Sequence, residues 1–170
     1  MQTRPIWAKL CRMARNGSRE SGFPVDDTSK AIIEQLQADG RRAYATIGKA
    51  VGLSEAAVRQ RVQKLIDHGV VQIVAVTDPM QIGFARQAMV CISAVGDIEA
   101  VAEQLAKIDE VDYLVITAGS FDLMAEVVVE NDEHLLQLVN QRIRTIPGVT
   151  RTESFLYLRL AKQTYNWGAR

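Results

Sequence analysis

The sequence predicts an α+β chain in two parts, an N-terminal helix-turn-helix followed by a ferredoxin-like βαββαβ domain. Three observations carry that prediction. Up to Val70 apolar residues recur at helical spacing and are punctuated by Gly40, Gly52 and Gly69. From Val70 the apolar period shortens towards two. Beyond Gln87 the patterns run strand, helix, strand, strand, helix, strand. With 170 residues the chain is long enough for two small domains, each with a thin core, so pairing with a second copy is expected from size alone.

Residues 1–25 read as a mobile basic leader without a sustained period, interrupted by Asn16-Gly17-Ser18, Ser21-Gly22 and Pro24. Either a loose contact with DNA or a simple extended start fits it. Order is expected from Asp26-Asp27-Thr28, short polar and acidic residues suited to a helix N-terminus. Ala31, Ile32, Ile33 and Leu36 then form the stripe of a first helix that ends at Asp39-Gly40. A second helix is expected over Thr46–Val51, with Ile47, Ala50 and Val51 inward, and a third from the Ser54 cap to His68. These elements make a DNA-binding domain over 26–70.

Val71, Ile73 and Ala75 alternate with their neighbours until Asp78-Pro79, which predicts a hinge strand and linker over 71–86. The second domain, 87–160, should contain strands at about Gln87–Val95, Val111–Thr117, Leu123–Val129 and Thr150–Leu160. Its helices should span Ile98–Ile108 and Asp132–Ile143, each with one apolar face. In the third strand Leu123, Ala125, Val127 and Val129 alternate with Met124, Glu126 and Val128, so both sides carry apolar groups. A sheet apolar on both faces, with helices enough for one, predicts a homodimer. Residues 161–170, with Tyr165 and Trp167, form a C-terminal tail.

Formal charge is zero overall but unevenly spread. The leader has five basic residues and one acidic (net +4), residues 26–70 have seven and six (+1), and the remainder has eight and thirteen (−5). A basic head on an acidic body suits a chain that meets phosphate only at its N-terminal part. Cys11 and Cys91 are far apart and form no metal or redox spacing. No nucleophile elbow, phosphate-binding loop or HExxH motif is present, so no cofactor, metal or catalytic set is expected. The absence of a long apolar run and of a signal-like start points to a cytoplasmic, nucleoid-associated protein.

The strongest local signal runs from Thr46 to Val58. Gly48 permits a close crossing, Gly52 a tight turn, and Leu53 with Val58 plugs the junction. Val58, Val62, Leu65 and Ile66 share the inner face of the third helix, which leaves Ala56, Arg59, Gln60, Gln63 and Lys64 outward. Gln suits adenine edges and Arg suits guanine, while Ser54 and the helix start suit a phosphate. Arg41, Arg42 and Lys49 add phosphate-seeking charge beside the turn. The same polar face also fits ordinary solvated surface. Tyr44 is expected to pack between helices.

The order Leu53-Ser54, Val58, Arg61-Val62, Leu65, Gly69-Val70-Val71, Asp78-Pro79 and Gly83 resembles the Lrp/AsnC, or feast/famine, family of bacterial and archaeal regulators. The second domain is similar to that family's effector domain, whose turn between strands two and three carries Gly-x-x-Asp, here Gly119-Ser120-Phe121-Asp122. The resemblance covers Asp26 to Tyr157. It implies a winged-helix-like reader of double-stranded DNA and dimers formed through the effector domains, assembling further into octamers. It also implies a small amino acid bound between effector domains near that turn.

Read from the residues alone, Gly119 offers a positive φ and close ligand approach. Asp122 accepts either from an ammonium group or from the turn's own N–H groups. Thr152 and Ser154 are further candidate polar contacts from a neighbouring subunit, and Ser120 stands where the family often has an acidic residue. Two other classes compete with the amino-acid-responsive regulator: an effector-independent protein that wraps DNA, and an enzyme like the sirohaem decarboxylases, which share this architecture. The enzyme reading is weakened because only His68 and His134 are present, both at helix ends.

Overall fold

The computed structural model describes residues 23–163. Most of the basic leader (1–22) and the end of the tail from residue 164, with Tyr165 and Trp167, lie outside the described residues. The chain divides into two compact units between Ala75 and Val76.

The first unit holds helices α1 (Asp27–Ala38), α2 (Tyr44–Val51) and α3 (Glu55–Asp67). Three of the helix boundaries have a clear local cause. The Asp26 side chain accepts from Ser29 N–H at 2.8 Å and caps α1, while Ser54 Oγ accepts from Ala57 N–H at 3.2 Å and caps α3. Gly52, at φ 73°, ends α2 in the left-handed region. Ile32, Leu36, Ile47, Val58 and Val62 form the core, with Tyr44, Val51, Leu53 and Ile66 packed on it.

α2 starts at Tyr44, two residues before the expected Thr46. Ala50, expected inward, is exposed, because the stripe of this short helix that meets α1 and α3 is centred on Ile47 and Gly48. The close approach expected at Gly48 is real, and its partner is the turn: a Cβ there would lie 2.4 Å from the Leu53 carbonyl oxygen. In return the Gly48 carbonyl accepts from Leu53 N–H at 2.9 Å.

The second unit contains β1 (Arg86–Ala94), α4 (Ile98–Leu105), β2 (Val111–Ile116), β3 (Leu123–Val129), α5 (Asp132–Gln137) and β4 (Val149–Leu156). α5 runs on through a π-helical turn, Leu138–Ile143. The strand order is β2-β3-β1-β4 and every pairing is antiparallel, the ferredoxin-like arrangement. Val90 pairs with Ala125 and Ser154, and Met89 with Glu126 and Phe155, which fixes the two faces. On one face Ala88, Val90, Ile92, Leu123, Ala125, Val127 and Val129 are sealed against Val101, Leu105, Leu138 and Ile143 of the helical segments.

The other face has no covering element within the unit. It carries Met89, Cys91 and Ser93 of β1, Tyr113 and Val115 of β2, Met124, Glu126 and Val128 of β3, and Arg151, Glu153 and Phe155 of β4. Tyr113 and Phe155 remain about half exposed, at 55% and 49%.

Two strand expectations change. No ladder forms over the hinge segment 71–77, where Ile73, Val74 and Val76 stay exposed. Apolar alternation supplies a face but not a pairing partner, and backbone groups without one remain solvated coil. β4 ends at Leu156 rather than Leu160: one more backbone bond follows, from Tyr157 N–H to the Gln87 carbonyl at 2.8 Å, after which β1 runs out at Arg86 and Leu158 is 94% exposed.

Gly48→Ala should cost on the order of 1–3 kcal/mol, because the added methyl meets fixed backbone. Equilibrium urea unfolding checks this, and a loss below about 0.5 kcal/mol, the scale of a neutral surface change, would show that the turn can yield.

Candidate functional site

α3 presents one exposed polar face. Ala56, Arg59, Gln60, Gln63 and Lys64 are all exposed, while Val58, Val62 and Leu65 on the opposite side are buried. The helix N-terminus beside Ser54 is exposed too, and the cap uses the Ser54 oxygen as acceptor, which leaves its hydroxyl hydrogen to donate.

Several of these groups are held by neighbours. Arg59 pairs with Glu55 at 2.7 Å and its guanidinium lies 5.2 Å from the centre of the Tyr44 ring. Tyr44 therefore braces Arg59 as well as packing between helices. Gln63 Nε2 donates to Asp67 at 2.8 Å, and Arg42 donates to Gln35. Arg41 and Lys49 are exposed. The Arg41 backbone N–H is tied to the Asp39 side chain at 2.9 Å.

One pairing beside this face has no local sequence signal. Arg61 Nη1 donates to both carboxylate oxygens of Asp26, at 2.8 and 3.0 Å, and to Ser29 Oγ at 3.2 Å. It thus ties α3 to the start of α1 across 35 residues of sequence. The Ser29 hydrogen bonds and the Arg61 guanidinium hold the Asp26 carboxyl down at about 2.

In the second unit the Gly119–Asp122 turn joins β2 to β3. Asp122 does not accept from the turn's own N–H groups: its Oδ2 takes the Ala94 N–H at 2.8 Å. Its own N–H donates to the Ile92 carbonyl at 2.9 Å, and its carbonyl accepts from Thr117 N–H. The side chain thereby secures the end of β1, where the β1–β4 register shifts between Ser93 and Ala94 and frees that N–H. Gly119 does not adopt a positive φ. Its α-carbon faces open space, and a Cβ placed there would meet nothing within 4 Å, so room for a ligand, rather than backbone strain, is what it offers.

Phe121 is half-buried, with the Arg151 guanidinium 5.4 Å from its ring centre. Thr152 pairs with Ile92 and Ser154 with Val90, which puts both on the helix-covered side of the edge strand. Arg151, which pairs with Glu153 at 2.7 Å, is on the opposite face. The turn and the Thr152/Ser154 pair are therefore not joined into one pocket by a single chain's register.

The open face has a polar centre. Gln87 Nε2 donates to Glu126 Oε1 at 2.6 Å. Burial, then the Glu126 charge and hydrogen bond, raises the Tyr157 hydroxyl; burial and the same charge raise the Asp112 carboxyl. Burial also raises the Cys91 thiol, which packs as a small buried hydrophobe. His134 is engaged by Glu110 at 3.2 Å, beside Arg142 at 2.8 Å from the same carboxylate. His68 closes α3, its Nδ1 2.8 Å from the Lys64 carbonyl. Among the described residues no group of three metal-ligating side chains occurs and no helix is long and apolar enough to cross a membrane.

Residues 25–66 match the AsnC-type helix-turn-helix domain, and residues 84–170 match a C-terminal dimeric alpha+beta barrel domain of AsnC regulators. The chain belongs to the Lrp/AsnC family. It is similar to the HTH-type transcriptional regulator FL11 of Pyrococcus horikoshii, 32% identical over 143 residues that cover 83% of this chain and 94% of the relative. Among solved structures it resembles the feast or famine regulatory protein of M. tuberculosis complexed with L-methionine, at 31% identity and TM-score 0.75, covering 82% and 96% of the two chains. A Neisseria meningitidis transcriptional regulator solved with L-Met is 25% identical with TM-score 0.74, over 83% and 94%. This Lrp/AsnC chain is accordingly a transcriptional regulator with a DNA-binding helix-turn-helix.

The Asp26 clamp has a pH signature. Its folded carboxyl lies near 2, below the ordinary 3.8, so its contribution is whole above the usual carboxylate range and drains away as pH falls towards 2. Denaturant midpoints measured across that acid range should fall less steeply in Asp26→Asn than in the native chain; identical profiles would remove the clamp from the stability of the first unit.

Proposed function

We propose that this regulator reads DNA with the outward face of α3 and responds to a small amino acid bound between effector domains at the Gly119–Asp122 turn. The observation that carries the effector half is the L-methionine in two relatives of the same fold. The turn itself supports it. Gly119 and Ser120 are exposed and leave room beside the backbone, and a carboxylate has capacity beyond the single bond Asp122 makes to Ala94. In this reading Asp122 takes the ammonium group and Ser120 with nearby backbone N–H groups takes the carboxylate. Phe121 flanks the ligand's side chain, and Thr152 and Ser154 of a second copy complete the pocket.

For the DNA half, Gln60, Gln63 and Arg59 meet base edges. Ser54, Arg41, Arg42, Lys49 and Lys64 meet phosphate, and Ala56 lets the helix lie close in the groove. The protein acts in the cytoplasm on the chromosome, without catalysis, as a homodimer that assembles further to octamers. The effector changes that assembly or the spacing of paired α3 helices. Its influence on DNA can be no larger than its difference in affinity for the two states.

Fluorescence anisotropy on DNA from upstream of its own gene, with and without a pool of the twenty amino acids, tests both halves. Asp122→Ala should lose the shift that the pool produces and keep most of the basal DNA affinity. Arg59→Ala should weaken DNA binding by about 1–3 kcal/mol, the worth of a good pairing with a base edge, with oligomer size unchanged. Sequence-preferring binding that no amino acid alters would instead favour the effector-independent, wrapping protein.

A further inference from the structure

The outward face of α3 holds an arginine whose direction is fixed before any DNA arrives. Arg59 Nη2 donates to Glu55 Oε1 at 2.7 Å, one turn earlier on the same helix, and its guanidinium carbon stands 5.2 Å over the centre of the Tyr44 ring. Glu55 opens α3 and Tyr44 opens α2, so the two contacts come from the starts of two helices. The Tyr44 side chain is itself held, packed against the core of the first unit. Both charged side chains remain more than half exposed, at 64% for Arg59 and 53% for Glu55.

Stability does not explain this arrangement. An exposed ion pair one turn apart adds little to a helix, and an acidic residue at a helix start suits the dipole whatever partner it has. Neither effect calls for a second contact, from another helix, on the same guanidinium. Ordering a free arginine on DNA costs rotamer entropy, and here a carboxylate and a ring have removed much of that freedom in advance. The reading edge is still available. The ring engages the charge as a whole and Glu55 accepts one N–H of the five, whereas a guanine needs two, at its O6 and N7.

Charge narrows what Tyr44, Glu55 and Arg59 can read together. Arg59 and Glu55 sum to zero, so the pair has no net attraction for phosphate and its value lies in direction. A carboxylate in the first turn of a reading helix, where helix-turn-helix proteins meet base edges, is repelled by guanine N7 and O6, adenine N7 and thymine O4. Its partners in the major groove are amino groups, and cytosine N4 is the one that stands beside guanine O6 in the same base pair. The second Glu55 oxygen, Oε2, lies outside the bond to Arg59.

We propose that Glu55 and Tyr44 set the base specificity of α3: they aim Arg59 at a guanine, and Glu55 takes the amino group of the cytosine beside it, so that the three residues select one G·C pair in the site. Tyr44 is a positioning residue, while Glu55 both positions and reads. The proposal rests on the assignment of α3 as the reader, and adds to it the base pair that Arg59 selects and the residues that make it do so.

In the test, the full-length chain selects its site from random duplexes, and anisotropy then measures affinity for that site, for its single-pair substitutions and for a scrambled duplex. All affinities are read below the melting range of each variant. Arg59→Ala locates the pair that Arg59 reads, as the position where discrimination collapses, and that pair should be G·C. Glu55→Gln should lower discrimination at the same position by about fivefold or more, the lower end of what one good pairing is worth. It should also bind the scrambled duplex more tightly, since a negative charge has left the surface. Tyr44→Leu should lower the same discrimination by about two- to fivefold, and Tyr44→Phe, which keeps the ring, should restore it. An Arg59→Ala profile that loses no position removes Arg59 from the reader and overturns the proposal with it. If Arg59→Ala abolishes a G·C preference that Glu55→Gln keeps in full, α3 stands as the reader and the proposal alone is overturned. A pair other than G·C at the Arg59 position overturns it as well. So does a Glu55→Gln variant that gains affinity for every duplex by one factor, because Glu55 is then only a repulsive surface charge. An unaltered Tyr44→Leu profile would overturn the part assigned to Tyr44.

Discussion

The constraint on which the rest depends is a four-stranded sheet with apolar side chains on two faces and helices on one. On the covered face the register places Ala88, Val90, Ile92, Leu123, Ala125, Val127 and Val129 against two helical segments, and all are buried. On the other face Met89, Tyr113, Val115, Met124 and Phe155 are left with partial or large exposure. Each such side chain gains at most about 1.5–3 kcal/mol from full burial, against roughly 4–15 kcal/mol lost when two molecules associate. A symmetric interface buries every group twice, and that doubling lets five side chains of this size outweigh the cost. The matched domain is described as dimeric, and the open face supplies the physical reason. Glu126, Gln87 and Tyr157 place a hydrogen-bonded polar centre in that face, which penalises any docking that leaves the carboxylate unpaired.

Pairing also bears on the DNA end of the chain. A dimer carries two helix-turn-helix domains, and in each the exposed face of α3 has its Arg59 paired with Glu55 and its Gln63 engaged by Asp67. In the second unit, the Gly119–Asp122 turn and the Thr152/Ser154 pair are not joined within one chain.

Much of the fold is legible in the sequence because its signals are local. Asp26 and Ser54 announce helix starts, Gly52 announces the turn, and the apolar, Val-rich run Leu123–Val129 lies between Asp122 and Glu130-Asn131-Asp132, so its bounds can be read directly. What is not legible depends on partners. The alternating 71–77 segment looks like a strand, but a strand is defined by pairing and none exists for it among the described residues. The outward face of α3 follows from helical periodicity. The Arg61–Asp26 bond does not, since nothing local links residues 35 apart. At the Gly119–Asp122 turn the motif is visible while the role of Asp122 in the fold is not: its partner, Ala94, is brought there by the irregular end of β1.

Sedimentation velocity of the full-length chain at micromolar concentration, native beside Met124→Asp, addresses the open sheet face most directly. The native protein should sediment as a dimer or a multiple of it with no detectable monomer. Met124→Asp should sediment as a folded monomer, because it buries an unpaired charge only when two sheets meet. A native protein that is monomeric at these concentrations would contradict the account at its root, and so would a Met124→Asp variant that assembles as the native chain does.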